Sequence, residues 1–336
     1  MTRRKGPAGA SLFLATLLWV ILAGSAAAQG PGQTPGALPQ DALFRASLLL
    51  AQALPFIIAL GIFAGLYRVR RESARDSAMA GENAVRRHGR ADVGLHWLNA
   101  AGILIGLGTA AMLLRWVNRV LDTQLLYVLH YVGAALIVYA LSNFMTHALV
   151  GGHMGLWPKL REIPEALGEL VSYLGIFHEP GVFGIRLPRS IGLPIARLFV
   201  TFGIRKPKDV GKYLATEKVL SFPIWAILVG LIFISGLVKT LRYAWPIPTT
   251  LVGTATWVHD LTAIAVLIWL VAHIAPTTLV PRNWPLLKSM FTTRVSLDYV
   301  KAHHPAWYRQ LASDEQTTRS FRPAQGLESV SQPTSD

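Results

Sequence analysis

Five long apolar runs alternate with polar, basic segments along the chain, at about residues 43–67, 94–114, 125–149, 219–239 and 257–280. Each run contains the roughly 20 apolar residues that an α-helix needs to cross the hydrocarbon core of a bilayer. The pattern therefore predicts an all-α polytopic membrane protein with five transmembrane helices. Within the long connection at 150–212, the stretch REIPEALGELVSYLG predicts a short amphipathic helix along the inner membrane face.

The two ends of the chain do not follow the membrane-span pattern. Residues 1–28 combine a basic start, a short apolar run and Ala26-Ala27-Ala28 before Gln29, which predicts a secretory signal peptide. An uncleaved membrane helix is the alternative, and in both cases residue 30 emerges on the outer side. A Gly-, Pro- and Gln-rich linker over 29–42 follows, and the polar segment 313–336 is predicted to be a disordered tail.

Lys and Arg are distributed unevenly between the two sides of the predicted membrane. The segments after the first, third and fifth spans hold 24 of these residues, whereas the outer segments and the span ends beside them hold five. Basic residues concentrate on the cytoplasmic side of membrane proteins. The asymmetry predicts a bacterial inner-membrane protein with a periplasmic mature N-terminus and a cytoplasmic C-terminus. It also accounts for the net charge of +14, so no nucleic-acid partner is predicted.

The composition narrows the chemistry that the chain can perform alone. Hydrophobic residues make up 52% of the 336 positions, charged residues make up 15%, and cysteine is absent. The absence of cysteine excludes disulfides, zinc–thiolate sites, cysteine-ligated iron–sulfur clusters and covalently attached c-type haem within this chain.

Histidines are the polar residues that stand out inside the predicted spans. Imidazoles at membrane depth are costly and mark functional sites or satisfied partners. The spans hold His96, His130, His147, His259 and His273. The other five histidines fall in the inner segments and are predicted to be solvated: His88, His153, His178, His303 and His304.

The spacing of His259 and His273 predicts two binding levels. Fourteen residues along an α-helix separate them by about 21 Å and by about 40° in azimuth, so both face the same neighbours. His130 lies at the depth of His259, near the outer surface, and His96 lies approximately at the depth of His273. Two histidines at each depth predict two six-coordinate haems with two axial imidazoles each.

Two further features bear on this haem hypothesis. His147, seventeen residues after His130, is an alternative inner ligand, about 100° away from the His130 face. Small residues in the second and third spans are predicted to let the helices approach a flat macrocycle. They are Gly94, Gly102, Gly106, Gly108 and Gly133.

Several motifs resemble the gamma, or cytochrome b, subunit of membrane-bound formate dehydrogenase, within the wider group of prokaryotic di-haem cytochromes b of the b561 type. They are GLHWLN, VLHYVGA, KYLATEK, FISGL, WVHDLTA and the ending TRVSLDYVKAHHPAWYRQL. The resemblance covers about residues 88–312, and the extra span at 43–67 lies outside the shortest form of the family. It implies a four-helix bundle with two b-type haems, the outer bound by His130 and His259 and the inner by His96 and His273. The HHPAWY ending resembles the formate dehydrogenase branch in particular.

The resemblance also implies partners and a substrate. Electrons would arrive from a periplasmic iron–sulfur beta subunit, fed by a molybdenum- or tungsten-containing alpha subunit, and would pass through the haems to a quinone near the inner face. The quinone vicinity would include Tyr213, Leu214, Glu217 and His273. Leu214 and Glu217 replace an Asn and a Gln of the family pattern, so the family's hydrogen bonds cannot all be copied. Glu217 is expected to supply protons or, as the alternative, to pair with Lys212 or Lys218.

Three rival functions remain open at the level of the sequence. The same cytochrome could serve a hydrogenase or another periplasmic oxidoreductase, which the haem ligands do not distinguish. A histidine-lined metal transporter would require carboxylates in mid-span and broken helices. The carboxylates near the spans are instead predicted at span ends: Asp92, Asp122, Asp260 and Glu217. A purely structural membrane anchor gives no reason for four matched histidines.

Overall fold

The computed structural model describes residues 42–72, 83–152, 155–176, 184–204 and 208–320. The predicted signal peptide, almost all of the linker and residues 321–336 lie outside these ranges. In chain order the helices are α1 (Ala42–Glu72), α2 (Arg90–Leu113), α3 (Thr123–Gly151), α4 (Ile163–Tyr173), α5 (Arg189–Thr201), α6 (Phe222–Leu241), α7 (Thr249–Leu279), α8 (Trp284–Thr292), α9 (Leu297–His303) and α10 (Pro305–Ser320). Short 3-10 turns cover Leu160–Glu162 and Pro281–Asn283, and a π-helical turn covers Glu217–Ser221.

The prediction of a helical, multi-pass membrane protein is confirmed in its broad form. Among the described residues, five helices are long and apolar enough to cross a membrane: Ser47–Arg71, Arg90–Leu113, Thr123–Gly151, Glu217–Leu241 and Thr249–Leu279. Each coincides with one predicted span. The amphipathic helix predicted in the long connection is α4, whereas α5 was not predicted.

The last span begins at Thr249, well before the predicted residue 257. Threonines lower the hydropathy of this first part of α7, which is why the apolar pattern alone placed the boundary too late. Their hydroxyls donate to backbone carbonyls one turn earlier, from Thr254 to Thr250 and from Thr256 to Val252. Such bonds satisfy the hydroxyl within the helix, so the helix continues through this segment.

The chain divides into two units. The first comprises α1, α2, α3, α6 and α7 as far as Ile274. The second comprises residues 78–88, the connection at 156–221 and the chain from Ala275 onwards. The histidines predicted as ligands all belong to the first unit.

The extra span α1 packs closely against α3. A Cβ on Gly61 would lie 2.8 Å from the carbonyl oxygen of Tyr139, and one on Gly65 would lie 2.8 Å from that of Asn143. Small residues four apart allow two membrane helices to approach in this way. At the end of the same face, the Arg68 guanidinium donates to Asn143 Oδ1 at 2.9 Å and to Asp92 Oδ1 at 2.5 Å. The extra span is therefore joined to α2 and α3 by both packing and charge.

A small sheet and the helices α9 and α10 form a buried hydrophobic core in the second unit. Strands β1 (Ala84–Arg86) and β2 (Arg294–Ser296) pair antiparallel, with Val85 opposite Val295. Both valines are buried with Val300 and Trp307. The two three-residue strands were not predicted, since segments this short leave no alternating pattern. The helix α10 continues to Ser320, past residue 313 where the disordered tail was expected to start.

His304 is buried in this core, which corrects the prediction that it is solvated. It is 1% exposed, and its Nδ1 lies 2.7 Å from the carbonyl oxygen of Gly211. Burial lowers the pKa of the His304 imidazole to about 4, so the ring is neutral and Nδ1–H donates. The backbone N–H of Ala306 donates to the carbonyl of Val210 in the same region. The HHPAWY motif thus holds the segment that precedes Tyr213 in place.

Candidate functional site

The four histidines predicted as ligands form two pairs that share α7. The ring centroids of His130, on α3, and His259 lie 6.1 Å apart. Those of His96, on α2, and His273 lie 6.3 Å apart. The structure therefore brings together the residues that the depth argument paired. His147, the alternative inner ligand, is buried in α3, and the ring that faces His273 is that of His96.

Hydrogen bonds define which nitrogen of His259 is free. Its Nδ1 lies 3.1 Å from the carbonyl oxygen of Ile232, which can only accept, so Nδ1 carries the proton. Ser235 Oγ lies 3.1 Å from the same nitrogen and is 2.6 Å from the Leu231 carbonyl to which it donates. The Nε2 lone pair of His259 is therefore the one available to a metal.

His130 is held in the same manner. Its Nδ1 lies 2.9 Å from Thr109 Oγ1, and that hydroxyl donates to the carbonyl of Ile105 at 2.7 Å. Because the hydroxyl proton is used, the oxygen accepts from Nδ1–H. Metal-binding histidines commonly donate their second ring nitrogen to such a partner, which fixes the orientation of the ring.

The distance within each pair fits one metal ion between the two rings. A metal bound at about 2 Å from a ring nitrogen lies about 3 Å from the ring centre, so two rings on opposite sides have centres about 6 Å apart. In the described part of the chain, no group of three or more His, Cys, Asp or Glu could hold a metal ion. Two imidazoles alone suit an iron whose other ligands come from a macrocycle. The residues therefore fit haem better than a bare cation.

A cavity of about 420 Å³ lies in the first unit beside the outer pair. His130, His259, Trp225 and Trp269 contribute to its mostly apolar wall. Its volume lies within the range of roughly 300–1,000 Å³ that is usual for small-molecule and cofactor sites. The α2 and α3 backbones pack closely, whereas α7 makes few close backbone approaches to either in the described chain. Space for a flat ligand therefore exists where the histidine rings extend from α7 towards α2 and α3.

Trp269 lies on α7 between His259 of the outer pair and His273 of the inner pair. It borders the outer cavity, and its ring stacks on that of His273 with a centroid separation of 5.0 Å and an interplanar angle of 12°. The stacking fixes the inner imidazole from one side. Sequence reasoning gave Trp269 no role, although its position between two histidines of one helix could have suggested one.

The glycines predicted to accommodate a macrocycle divide into two groups. Gly102 and Gly133 are helix-packing residues, because a Cβ on either would lie 2.8 Å from the carbonyl oxygen of the other. A Cβ added at Gly94, Gly106 or Gly108 would have open space around it to 4 Å, and Gly106 lines the cavity. Gly236 was not predicted, yet a Cβ there would lie 3.1 Å from His259 Cε1. Its lack of a side chain leaves room for the outer imidazole.

Lys239 and Asp260 form an ion pair in the wall of the same cavity. Their Nζ and Oδ1 atoms lie 3.6 Å apart, and the two side chains are 33% and 38% exposed. Asp260 lies in the twelfth position of α7, which begins at Thr249. Asp260 is therefore a partly exposed carboxylate with a cationic partner, whereas a cation transporter requires a buried carboxylate without one.

The residues of the predicted quinone vicinity lie in both units: Tyr213, Leu214 and Glu217 in the second, and His273 in the first. Glu217 Oε2 accepts from the backbone N–H of Leu214 at 3.0 Å. Its ion-pair partner is Arg87, at 3.5 Å, which is neither of the two lysines that the sequence suggested. Lys218 instead pairs with Glu162 at 3.1 Å.

Glu169, on α4, is the polar residue that sequence reasoning missed. It is 6% exposed, and its carboxylate accepts from the backbone N–H of Thr216 and from the Tyr173 hydroxyl, both at 3.1 Å. Burial raises the pKa of the Glu169 carboxyl to about 7. A signal for it existed, because Ala166, Glu169 and Tyr173 share one face of a helix at spacings of three and four residues. An acid on an apolar face predicts a buried titratable group.

A scan against known protein families and a search of curated proteins found no match to the chain.

Proposed function

We propose that the chain is a transmembrane cytochrome that binds two b-type haems, one at each histidine pair. The two pairs on one common helix carry this proposal, with ring centroids 6.1 and 6.3 Å apart. His130 and His259 would hold the outer haem, and His96 and His273 the inner one. When bound, such haems supply reversible one-electron carriers.

The chain's own residues prepare these sites in three ways. In the outer pair, Thr109 Oγ1 accepts from Nδ1–H of His130, and the Ile232 carbonyl accepts from Nδ1–H of His259. These hydrogen bonds leave the Nε2 atom of each imidazole available to a ligand. Mostly apolar side chains line the cavity beside the outer pair. Trp269 holds the inner imidazole by stacking. Because each pair would supply two imidazoles to a bound haem, the chemistry that the haem would provide is electron transfer.

Within this class we propose the cytochrome b subunit of a respiratory formate dehydrogenase. It would receive electrons from a periplasmic iron–sulfur subunit, itself fed by a molybdenum- or tungsten-containing subunit, and deliver them to quinone near Tyr213–Glu217 at the cytoplasmic side. The resemblance of residues 88–312 supports this assignment. If quinone reduction takes its protons from the cytoplasm, turnover would contribute to a proton gradient across the inner membrane.

The choice of formate dehydrogenase rests on the resemblance alone. His304 and Trp307 of the HHPAWY motif are buried in the second unit, so the fold itself gives a reason for both residues. A motif required for folding carries less information about the partner enzyme than an exposed one would. The experiment must therefore distinguish formate dehydrogenase from a hydrogenase or another periplasmic oxidoreductase as the electron donor.

Reduction of the chain in its native membranes tests the donor directly. Formate added to anaerobic membranes is expected to produce the absorption bands of reduced b-type haem, and these bands should disappear when the gene for this chain is deleted. Hydrogen gas added in place of formate serves as the comparison. Reduction by hydrogen and not by formate would overturn the formate dehydrogenase assignment while leaving the di-haem proposal intact.

A further inference from the structure

Within the part of the chain that the structure describes, the Glu169 carboxylate is bonded to neutral donors, whereas the carboxylates near it are paired with cations. Its contacts in the described structure are the Thr216 N–H and the Tyr173 hydroxyl, which are both neutral donors. Nearby carboxylates have cations of their own: Glu217 pairs with Arg87, and Glu162 pairs with Lys218. A buried carboxyl with only neutral partners is easier to protonate than a paired one.

Burial is the main reason that the pKa of the Glu169 carboxyl is raised, and the hydrogen bonds from Thr216 and Tyr173 act in the opposite direction. Glu217 faces it from the π-helical turn and adds a like charge, which opposes ionisation. Arg282 donates to Ser172 Oγ at 2.8 Å, and its guanidinium carbon lies 5.0 Å from the centre of the Tyr173 ring. Tyr299, from α9, interacts electrostatically with Glu169 and with Arg87.

A chain of hydrogen bonds leads away from Glu169 in two directions. On one side the carboxylate accepts from Thr216, within the segment that also holds Leu214 and Glu217. On the other side the Tyr173 hydroxyl accepts from Asn283 Nδ2 at 3.5 Å, and that amide also donates to the Pro276 carbonyl at 3.0 Å. The carboxyl therefore lies between the predicted quinone segment and the C-terminal end of α7.

We propose that Glu169 is an internal proton carrier for the segment Tyr213–Glu217. This proposal rests on the proposed function, in which a quinone is reduced at that segment. Conversion of a quinone to a hydroquinone consumes two electrons, delivered through the cytochrome from the donor enzyme, and two protons. The Glu169 carboxyl gives up one of these protons and becomes a carboxylate. The second proton, and the one that restores Glu169, come from the aqueous phase.

The role differs from that of an ordinary structural carboxylate. A structural Glu169 would need only to accept from Thr216 and Tyr173, which a glutamine oxygen can do in part. A proton carrier must exchange a proton near neutral pH, which glutamine cannot do. Replacement of the carboxyl by an amide of the same shape therefore separates the two roles.

The test compares Glu169→Gln with Glu165→Gln in the full complex reconstituted in liposomes. Glu165 is an exposed acid on the same helix, one turn earlier. After chemical reduction of the protein, the rate of its reoxidation by decylubiquinone is followed between about pH 5.5 and pH 8.5. The wild type and Glu165→Gln are expected to slow as pH rises through about 7, as the protonated fraction of Glu169 falls. Glu169→Gln is expected to be slower by about tenfold or more at low pH and to lose this inflection.

Each outcome bears on one proposal. Equal rates and equal pH profiles in all three proteins, with normal haem spectra, would overturn the carrier role and leave the proposed function standing. Absence of a haem spectrum in the wild type would overturn the proposed function itself. The Tyr173→Phe variant adds a positioning test, because loss of its hydrogen bond to the carboxylate should move the inflection to higher pH.

Infrared spectroscopy tests the carrier role of Glu169 without depending on turnover. A protonated carboxyl C=O band is expected at about pH 6 and should disappear as pH rises through about 7. The band should persist in Glu165→Gln. If no carboxyl band titrates across that interval in the wild type, Glu169 does not carry a proton and the proposal fails.

Discussion

The Nδ1 atom of His259 lies 3.1 Å from the carbonyl oxygen of Ile232 on the neighbouring helix α6. Since a carbonyl only accepts, this contact fixes the tautomer of the imidazole and leaves its other nitrogen for a ligand. One backbone group on α6 thus determines what a side chain on α7 can bind. The same helix provides Gly236, the residue whose missing side chain leaves room for the ring.

Replacement of Gly236 by alanine should weaken binding at the outer pair. The added Cβ would lie 3.1 Å from His259 Cε1 and 3.4 Å from Nδ1, so the ring must move. Displacement of a metal ligand's supporting contacts usually lowers affinity by about 10–100-fold. Haem content measured by pyridine haemochrome after purification should fall towards one per chain. Gly230→Ala, on the same helix with open space around it, should retain the wild-type content; equal content in both variants would contradict the assignment of His259.

Replacement of Thr109 by valine should alter the outer site without removing a ligand. The His130 Nδ1–H would lose its acceptor, and a less basic imidazole stabilises the reduced metal relative to the oxidised one. The midpoint potential of one haem, measured by a redox titration, should therefore rise while the other stays unchanged. Thr146→Val is the control, because the Thr146 hydroxyl bonds only the Ser142 carbonyl of its own helix. A potential unchanged by Thr109→Val would argue against His130 as a ligand.

Replacement of Arg68 by methionine should loosen the extra span. Asp92 and Asn143 would both lose the guanidinium that they share. We expect a loss of about 1–3 kcal/mol of stability, less than for a fully buried pair because Asp92 is 41% exposed. Thermal unfolding in detergent, followed by near-ultraviolet circular dichroism, measures the change. Arg71→Met, at an exposed position of the same helix, should unfold like the wild type, and a similar effect of both variants would contradict a specific role for Arg68.

The burial of His304 should make stability depend on pH in the acid range. The folded chain keeps this imidazole neutral down to about pH 4, whereas the unfolded chain protonates it below about pH 6.5. The unfolded state therefore binds more protons in this interval, and stability falls as pH decreases from about 6.5 to about 4. His304→Gln, which keeps a donor for the Gly211 carbonyl, should show a decrease smaller by roughly 3 kcal/mol.

The free energy of unfolding of the wild type and of His304→Gln, measured with a denaturant at about pH 6.5 and about pH 4, gives this difference. The other titrating groups are common to both proteins, so their contributions cancel. The neighbouring exposed His303 supplies the control variant His303→Gln, which should keep the wild-type dependence. If His304→Gln also keeps it, the pKa of His304 is not lowered in the folded chain.

Periodicity and depth explain why the spans and the histidine pairs could be predicted. The apolar runs are long and continuous enough to predict five membrane helices. On the last of them, His259 and His273 lie fourteen residues apart, and the rise of an α-helix places them at two different depths. His130 and His96 then follow, because each lies near the correct end of its own span. These inferences need only the rise and twist of an α-helix.

Contacts between segments distant in the sequence could not be predicted in this way. The partner of Glu217 is Arg87, which follows strand β1 and lies 130 positions earlier in the chain, and the sequence offered only the nearer lysines. His304 was assigned to solvent because it lies in a polar, basic segment, yet the small sheet and Trp307 bury it. Glu169 carried a usable signal on the apolar face of α4, but its neutral partners become apparent only when Thr216 and Tyr173 are placed beside it.

The central claim, that each histidine pair binds one haem, is tested by the absorption spectrum of the purified chain. We expect two b-type haems per chain by pyridine haemochrome and by the dithionite-reduced-minus-oxidised spectrum. His259→Ala and His273→Ala should each lose one haem, and the two variants should retain different haems with distinguishable bands. A well-folded wild-type chain without haem, or two variants that lose the same haem, would contradict the account.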